Sequence, residues 1–111
     1  MNRRKLSITS ETKTEHPHIV RVEGVRGGRP CIKGTGITVM LIAKFYKMGC
    51  DPDEILRLYP FLSAASVYDA LSYYHDHQAE VEKDIAESTL EKFLEGTGSH
   101  LDEHGRVVFG P

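Results

Sequence analysis

The chain reads as a mainly α-helical domain: a short N-terminal β-hairpin, a three-helix core of helix-turn-helix type, and a C-terminal amphipathic helix. Three observations predict this. Helix caps recur from Thr38 to Ser63, apolar residues follow them at spacings of three and four, and β-branched runs cluster around Gly27-Gly28. With 111 residues, 27% charged and 40% apolar, the chain suits one domain rather than two. No apolar run approaches the roughly 18 to 20 residues of a membrane span, and residues 1–14 lack the apolar middle of a signal peptide. A cytoplasmic protein with no membrane contact is expected. Cys31 and Cys50 are too few for a disulfide framework and are expected to be reduced.

Residues 1–16 are polar, carry Arg3, Arg4 and Lys5, and show no apolar period, so they read as a flexible basic arm. Ile19, Val20, Val22 and Val25 then precede Arg26-Gly27-Gly28-Arg29-Pro30, and Cys31-Ile32 follow. That pattern reads as a hairpin. The glycines fit neither the Walker nor the dinucleotide-binding fingerprint, which argues against a nucleotide loop. Thr38 is placed to cap a first helix through about Met48, with Ile37 and Ile42 as a hydrophobic staple and Gly49 as the left-handed terminator. Asp51-Pro52-Asp53-Glu54 supplies an N-cap, a proline at N1 and a carboxylate at N3 for a second helix, which Pro60 stops by about Tyr59.

Ser63 caps a third helix, bracketed by Leu62 and Val67. Its stripe of Val67, Ala70, Leu71 and Tyr74 faces the core, and Ala65, Asp69, Ser72 and Asp76 are expected to face water. Whether this helix breaks between His75 and Gln78 does not follow from the residues. Residues 78–95 continue as an acidic amphipathic segment with Val81, Ile85, Phe93 and Leu94 for packing, and Gly96 as its end. The domain is therefore read as 17–95, and 96–111 as a tail with one β-prone run, Val107-Val108-Phe109.

Charge divides the chain. Residues 1–49 carry ten Lys/Arg against three Asp/Glu, and residues 50–111 carry four against thirteen, within a net charge of −2. A cationic half attracts polyanions, and an anionic half attracts a basic partner. In a helix-turn-helix setting the candidate DNA contacts are Arg21, Arg26, Arg29 and Lys33 on the hairpin, with Ser63 and Ser66 at the start of the third helix. Asp69 and Asp76 on the presumed recognition face oppose that reading, because they would meet phosphate.

No metal or other cofactor is expected. His75 and His77 stand about 200° apart on a helix and cannot grip one ion from the same face. His100 and His104 have a workable helical spacing but lie in a tail without other helix signals. No nucleophile stands beside an orienting base, so an enzyme is not expected.

The run Gly28-Arg29-Pro30-Cys31-Ile32-Lys33-Gly34-Thr35 carries a wider resemblance. With Ile37, Val39, Gly49, Glu54-Ile55-Leu56, Tyr59-Pro60, Leu62-Ser63, Val67, Ala70-Leu71 and Tyr73-Tyr74, it resembles the bacterial domain-of-unknown-function family 433 over about residues 16–86. The resemblance implies a homeodomain-like helix-turn-helix behind a β-hairpin, a homodimer, and the antitoxin role of a type II toxin–antitoxin pair. It also implies operator DNA and a PIN-like ribonuclease toxin as partners. The family usually carries Arg after Gly-Thr, where this chain has Gly36. Lys33 replaces that arginine only in part, since a lysine cannot make a planar bidentate contact.

The leading expectation joins these readings: a non-catalytic antitoxin that binds DNA as a dimeric repressor and neutralises its toxin through the C-terminal segment. Arg106 would reach the toxin's acidic centre, and Val107, Val108 and Phe109 would add an edge strand to it. The alternative is a protein–protein interaction module without DNA binding.

Overall fold

The computed structural model describes residues 10–97, 100–101 and 107–108. A three-stranded antiparallel sheet, β1 (Glu11–Lys13), β2 (Ile19–Val22) and β3 (Cys31–Ile32), leads into α1 (Val39–Lys47), α2 (Pro52–Leu58), α3 (Ala64–Asp76) and α4 (Gln78–Thr97). A separate pair, β4 (His100–Leu101) and β5 (Val107–Val108), follows.

The expected hairpin is present as β2 and β3, with Ile19 opposite Ile32 and Val20 opposite Cys31. It gains an edge strand that sequence reasoning missed. Residues 11–13, read as part of a flexible arm, pair with β2, Thr12 standing opposite Arg21. All three are exposed, so no buried side chain marked the strand; its backbone bonds to β2 hold it. Residues 1–9 of the arm lie outside the described residues.

Between β2 and β3 the chain makes one left-handed turn, with φ of 50° at Arg26, 66° at Gly27 and 77° at Gly28. Glycine adopts this region without a Cβ clash, which explains the Gly-Gly pair. Arg26 has no such freedom and is the one non-glycine residue with positive φ among the described residues.

The caps form as the residues dictate. Thr38 accepts from the Leu41 N–H at 3.1 Å, and Ser63 accepts from the Ser66 N–H at 3.1 Å. Asp51 and Glu54 close a reciprocal capping box at 2.9 and 2.8 Å. Gly49, at φ 95°, follows the end of α1. The α3–α4 break falls at His77, whose φ of −131° leaves the helical region. α4 runs to Thr97, one residue past Gly96.

One core joins all of these elements. Ile19 of β2, Val39, Ile42 and Ala43 of α1, Ile55 of α2, Val67 and Ala70 of α3 and Val81 of α4 are wholly buried in it. The predicted stripe Val67, Ala70, Leu71 and Tyr74 faces inward, joined by Ser66 and Tyr73. Val81 and the partly buried Ile85 bring the start of α4 into the core, so its acidic flank lies beside the sheet and α1. Among the described residues no helix is long and apolar enough to cross a membrane.

Candidate functional site

Among the described residues, three of the four hairpin cations are engaged by carboxylates of the same chain. Arg21 is held by Glu80 of α4, by the Tyr73 hydroxyl at 2.9 Å, and by the Gly28 carbonyl at 3.3 Å. Arg29 lies between three α4 carboxylates: Asp84 at 3.5 Å, Glu87 at 3.4 Å and Glu91 at 3.9 Å. Lys33 approaches Glu11 at 3.8 Å. On the other side of α4, Glu82 accepts from Lys47 at 2.7 and 2.9 Å and from the Tyr74 hydroxyl at 2.5 Å. The spacing 80, 84, 87, 91 puts Glu80, Asp84, Glu87 and Glu91 along one flank of a helix, where they meet Arg21 and Arg29.

These pairs set the local ionisation. Desolvation pushes the Tyr73 phenol up to about 12, and its hydrogen bond to Glu80 adds to the shift. Burial raises the Asp84 carboxyl even though Arg29 opposes the change. The Lys47 bond, and then the Tyr74 bond, hold Glu82 below the usual carboxylate range. Single exposed pairs contribute about 0–1 kcal/mol each, so Val81 and Ile85 dock α4, and the carboxylates decide which surface it covers.

Ser63 and Ser66, the two remaining candidate contacts at the start of α3, are used locally. The Ser66 hydroxyl is buried and donates to the Ser63 carbonyl at 2.8 Å, while the Ser63 hydroxyl serves as the cap. Arg26 differs. It is exposed, its Nε donates to the Gly36 carbonyl at 3.1 Å, and no described carboxylate pairs with it. A Cβ at position 36 would stand 3.4 Å from its terminal nitrogen. The arginine that the resemblance expects after Gly-Thr is absent, yet a guanidinium reaches that place from position 26.

The expected water-facing side of α3 is partly covered. Asp69 is half-buried and accepts from His16 Nδ1 at 2.9 Å and from the His18 backbone N–H at 2.8 Å. Asp76 accepts from His16 Nε2 at 2.8 Å. Ionised carboxylates only accept, so both ring nitrogens of His16 donate and the ring is an imidazolium. Burial works against that charge, but the two carboxylates together outweigh it and raise the His16 pKa. Asp69 and Asp76 therefore spend part of their charge on a buried cation. Sequence spacing gave no signal of this contact, which spans more than fifty residues.

Glu15, His16 and His77 bring possible ligand atoms within 4.8 Å of one another. Among the described residues the histidines brought together are thus His16 and His77, a pairing that sequence spacing did not propose, and His104 lies outside the described residues. His16 has both ring nitrogens committed to carboxylates and has no lone pair to offer. His77 stacks on Tyr73 at 4.3 Å and bonds Glu15 at 2.6 Å. Both cysteines are free; burial pushes the Cys31 thiol up, away from the reactive thiolate.

Of the proposed toxin-binding residues, Val107 and Val108 form β5, paired with β4 through Val108 opposite His100. Arg106 and Phe109 lie outside the described residues.

The fold and this surface define a small four-helix domain, capped by an antiparallel sheet and cross-linked by ion pairs between its two ends. The chain belongs to the DUF433 family of proteins of unknown function, whose model matches residues 19–74. A crystal structure of a family member from Anabaena variabilis is similar, with TM-score 0.59 and 30% identity. The likeness covers 62% of this chain and 68% of that one. No curated protein matches the chain.

Proposed function

We propose that the chain is a non-catalytic protein-interaction module that self-associates through its helical face and acts as the antitoxin-like member of a two-protein pair. One observation carries the reading: Leu58, Phe61 and Tyr68, on α2, the following turn and α3, are 55%, 65% and 58% exposed. Large apolar side chains left in water on neighbouring elements mark surfaces that a partner covers. The engagement of Arg21, Arg29 and Lys33 by this chain's own carboxylates argues in the same direction, since those cations must break their pairs to meet phosphate. β5 supports the C-terminal docking role: among the described residues it pairs on one side only, which leaves an edge for strand addition to a PIN-like nuclease. Operator binding is the second reading, favoured by Arg26, which no described carboxylate neutralises.

Light scattering tests self-association. The wild-type chain is expected to be a dimer at micromolar concentration, and Phe61→Ser with Tyr68→Ser a folded monomer. A monomeric wild type at the highest soluble concentration contradicts the reading.

A further inference from the structure

We propose that the cleft between the first turn of α1 and the outer part of α4 binds a phosphate dianion, carried by a small organic ester. Arg26, Lys44 and Lys92 line it together with Ser88 and Thr38, around a volume of about 250 Å³. None of these three cations has a carboxylate partner among the described residues, unlike Arg21, Arg29, Lys33, Lys47 and Lys83. No carboxylate lines the cleft either.

Three cations around one volume repel one another unless an anion joins them, and a doubly charged oxyanion offsets more of that repulsion than chloride does. Guanidinium and ammonium groups donate to phosphate oxygens, and the Ser88 hydroxyl adds a neutral donor. The floor is apolar, made by Ile37, Met40 and Leu41. That wall has no use for bare phosphate but matches the organic part of an ester, and the volume accommodates more than a phosphate.

The backbone at Arg26 separates binding from folding. Its φ of 50° disfavours any side chain, so glycine there relieves strain and loses only one exposed hydrogen bond.

The test is a titration of the full chain with inorganic phosphate and with phenyl phosphate at constant ionic strength, followed by amide chemical shifts. Saturable shifts at Gly36, Thr38 and Ser88 are expected, with phenyl phosphate several-fold tighter than inorganic phosphate. Arg26→Gly and Lys44→Gln each weaken binding about tenfold while thermal stability is kept, and Lys83→Gln, a cation elsewhere on α4, changes nothing. Equal affinity for the two ligands would leave the phosphate site standing and remove the ester from the proposal. Shifts reproduced by chloride, or binding untouched by Arg26→Gly and Lys44→Gln, would overturn it.

Discussion

Asp69→Ala is expected to lower the unfolding free energy by about 3 kcal/mol at pH 6, because it leaves the buried Nδ1–H of His16 and the His18 backbone N–H without their acceptor, while Asp76 still holds Nε2. The carboxylate holds His16 Nδ1 and the His18 N–H, so it ties the chain before β2 to the middle of α3. The loss depends on pH. The folded-state pKa of His16 is raised, so its contribution is fully present below the unfolded value of about 6.5 and is lost as pH rises through the folded value. The gap between wild type and Asp69→Ala in urea unfolding should therefore be largest near pH 6 and narrow toward pH 9. It does not close, since the His18 N–H needs its acceptor at every pH. Ser72→Ala, exposed on the same helix, is expected to change stability little. A pH-independent gap would show that His16 is not held as a cation.

Val81→Asp is expected to cost about 4 kcal/mol, the penalty of an unpaired charge in a closed core together with lost packing. Val81 is wholly buried and lies in the first turns of α4, where it anchors the helix. With the anchor gone, Glu80, Glu82 and Asp84 no longer hold Arg21, Lys47 and Arg29 in place, so the substitution loosens α4 as a unit. Hydrogen exchange should show α4 opening before α1 and α3. Uniform protection across α4 in the variant would mean that the ion pairs alone hold the helix.

The helices could be read from the chain because local chemistry marks their ends. Thr38, the Asp51-Pro52-Glu54 box, Ser63, Gly49 and Pro60 each act within four residues of the boundary they set, and all of those boundaries appear where expected. The features misread or left open share the opposite property. β1 carries no apolar alternation and exists only through pairing with β2. The helix break at His77 coincides with a stack on Tyr73 and a bond to Glu15, neither of which a local helical pattern records. Asp69 read as solvent-facing because its partner, His16, lies far away in sequence.

Charge was the most informative and the most misleading signal. The division between a cationic first half and an anionic second half is real, but composition does not say whether two opposite surfaces face two partners or each other. Folding decides it. Val81 and Ile85 bring α4 against the core, and the carboxylates at 80, 84, 87 and 91 then meet Arg21 and Arg29. Arg26 lies outside these pairs, at a left-handed turn that the Gly-Gly motif made readable while its role was not.

The carboxylates of α4 occupy Arg21 and Arg29, two of the cations proposed above as contacts to DNA. The most direct test of what that occupation does is fluorescence anisotropy of a duplex from the chain's own promoter, across a salt series, for wild type and for Asp84→Asn, Glu87→Gln and Glu91→Gln combined. Weak wild-type binding with a shallow salt slope is expected, and the triple variant should bind about tenfold tighter with a slope steeper by about one as Arg29 is released. Tight wild-type binding with a steep slope, unchanged by the triple substitution, would contradict the account.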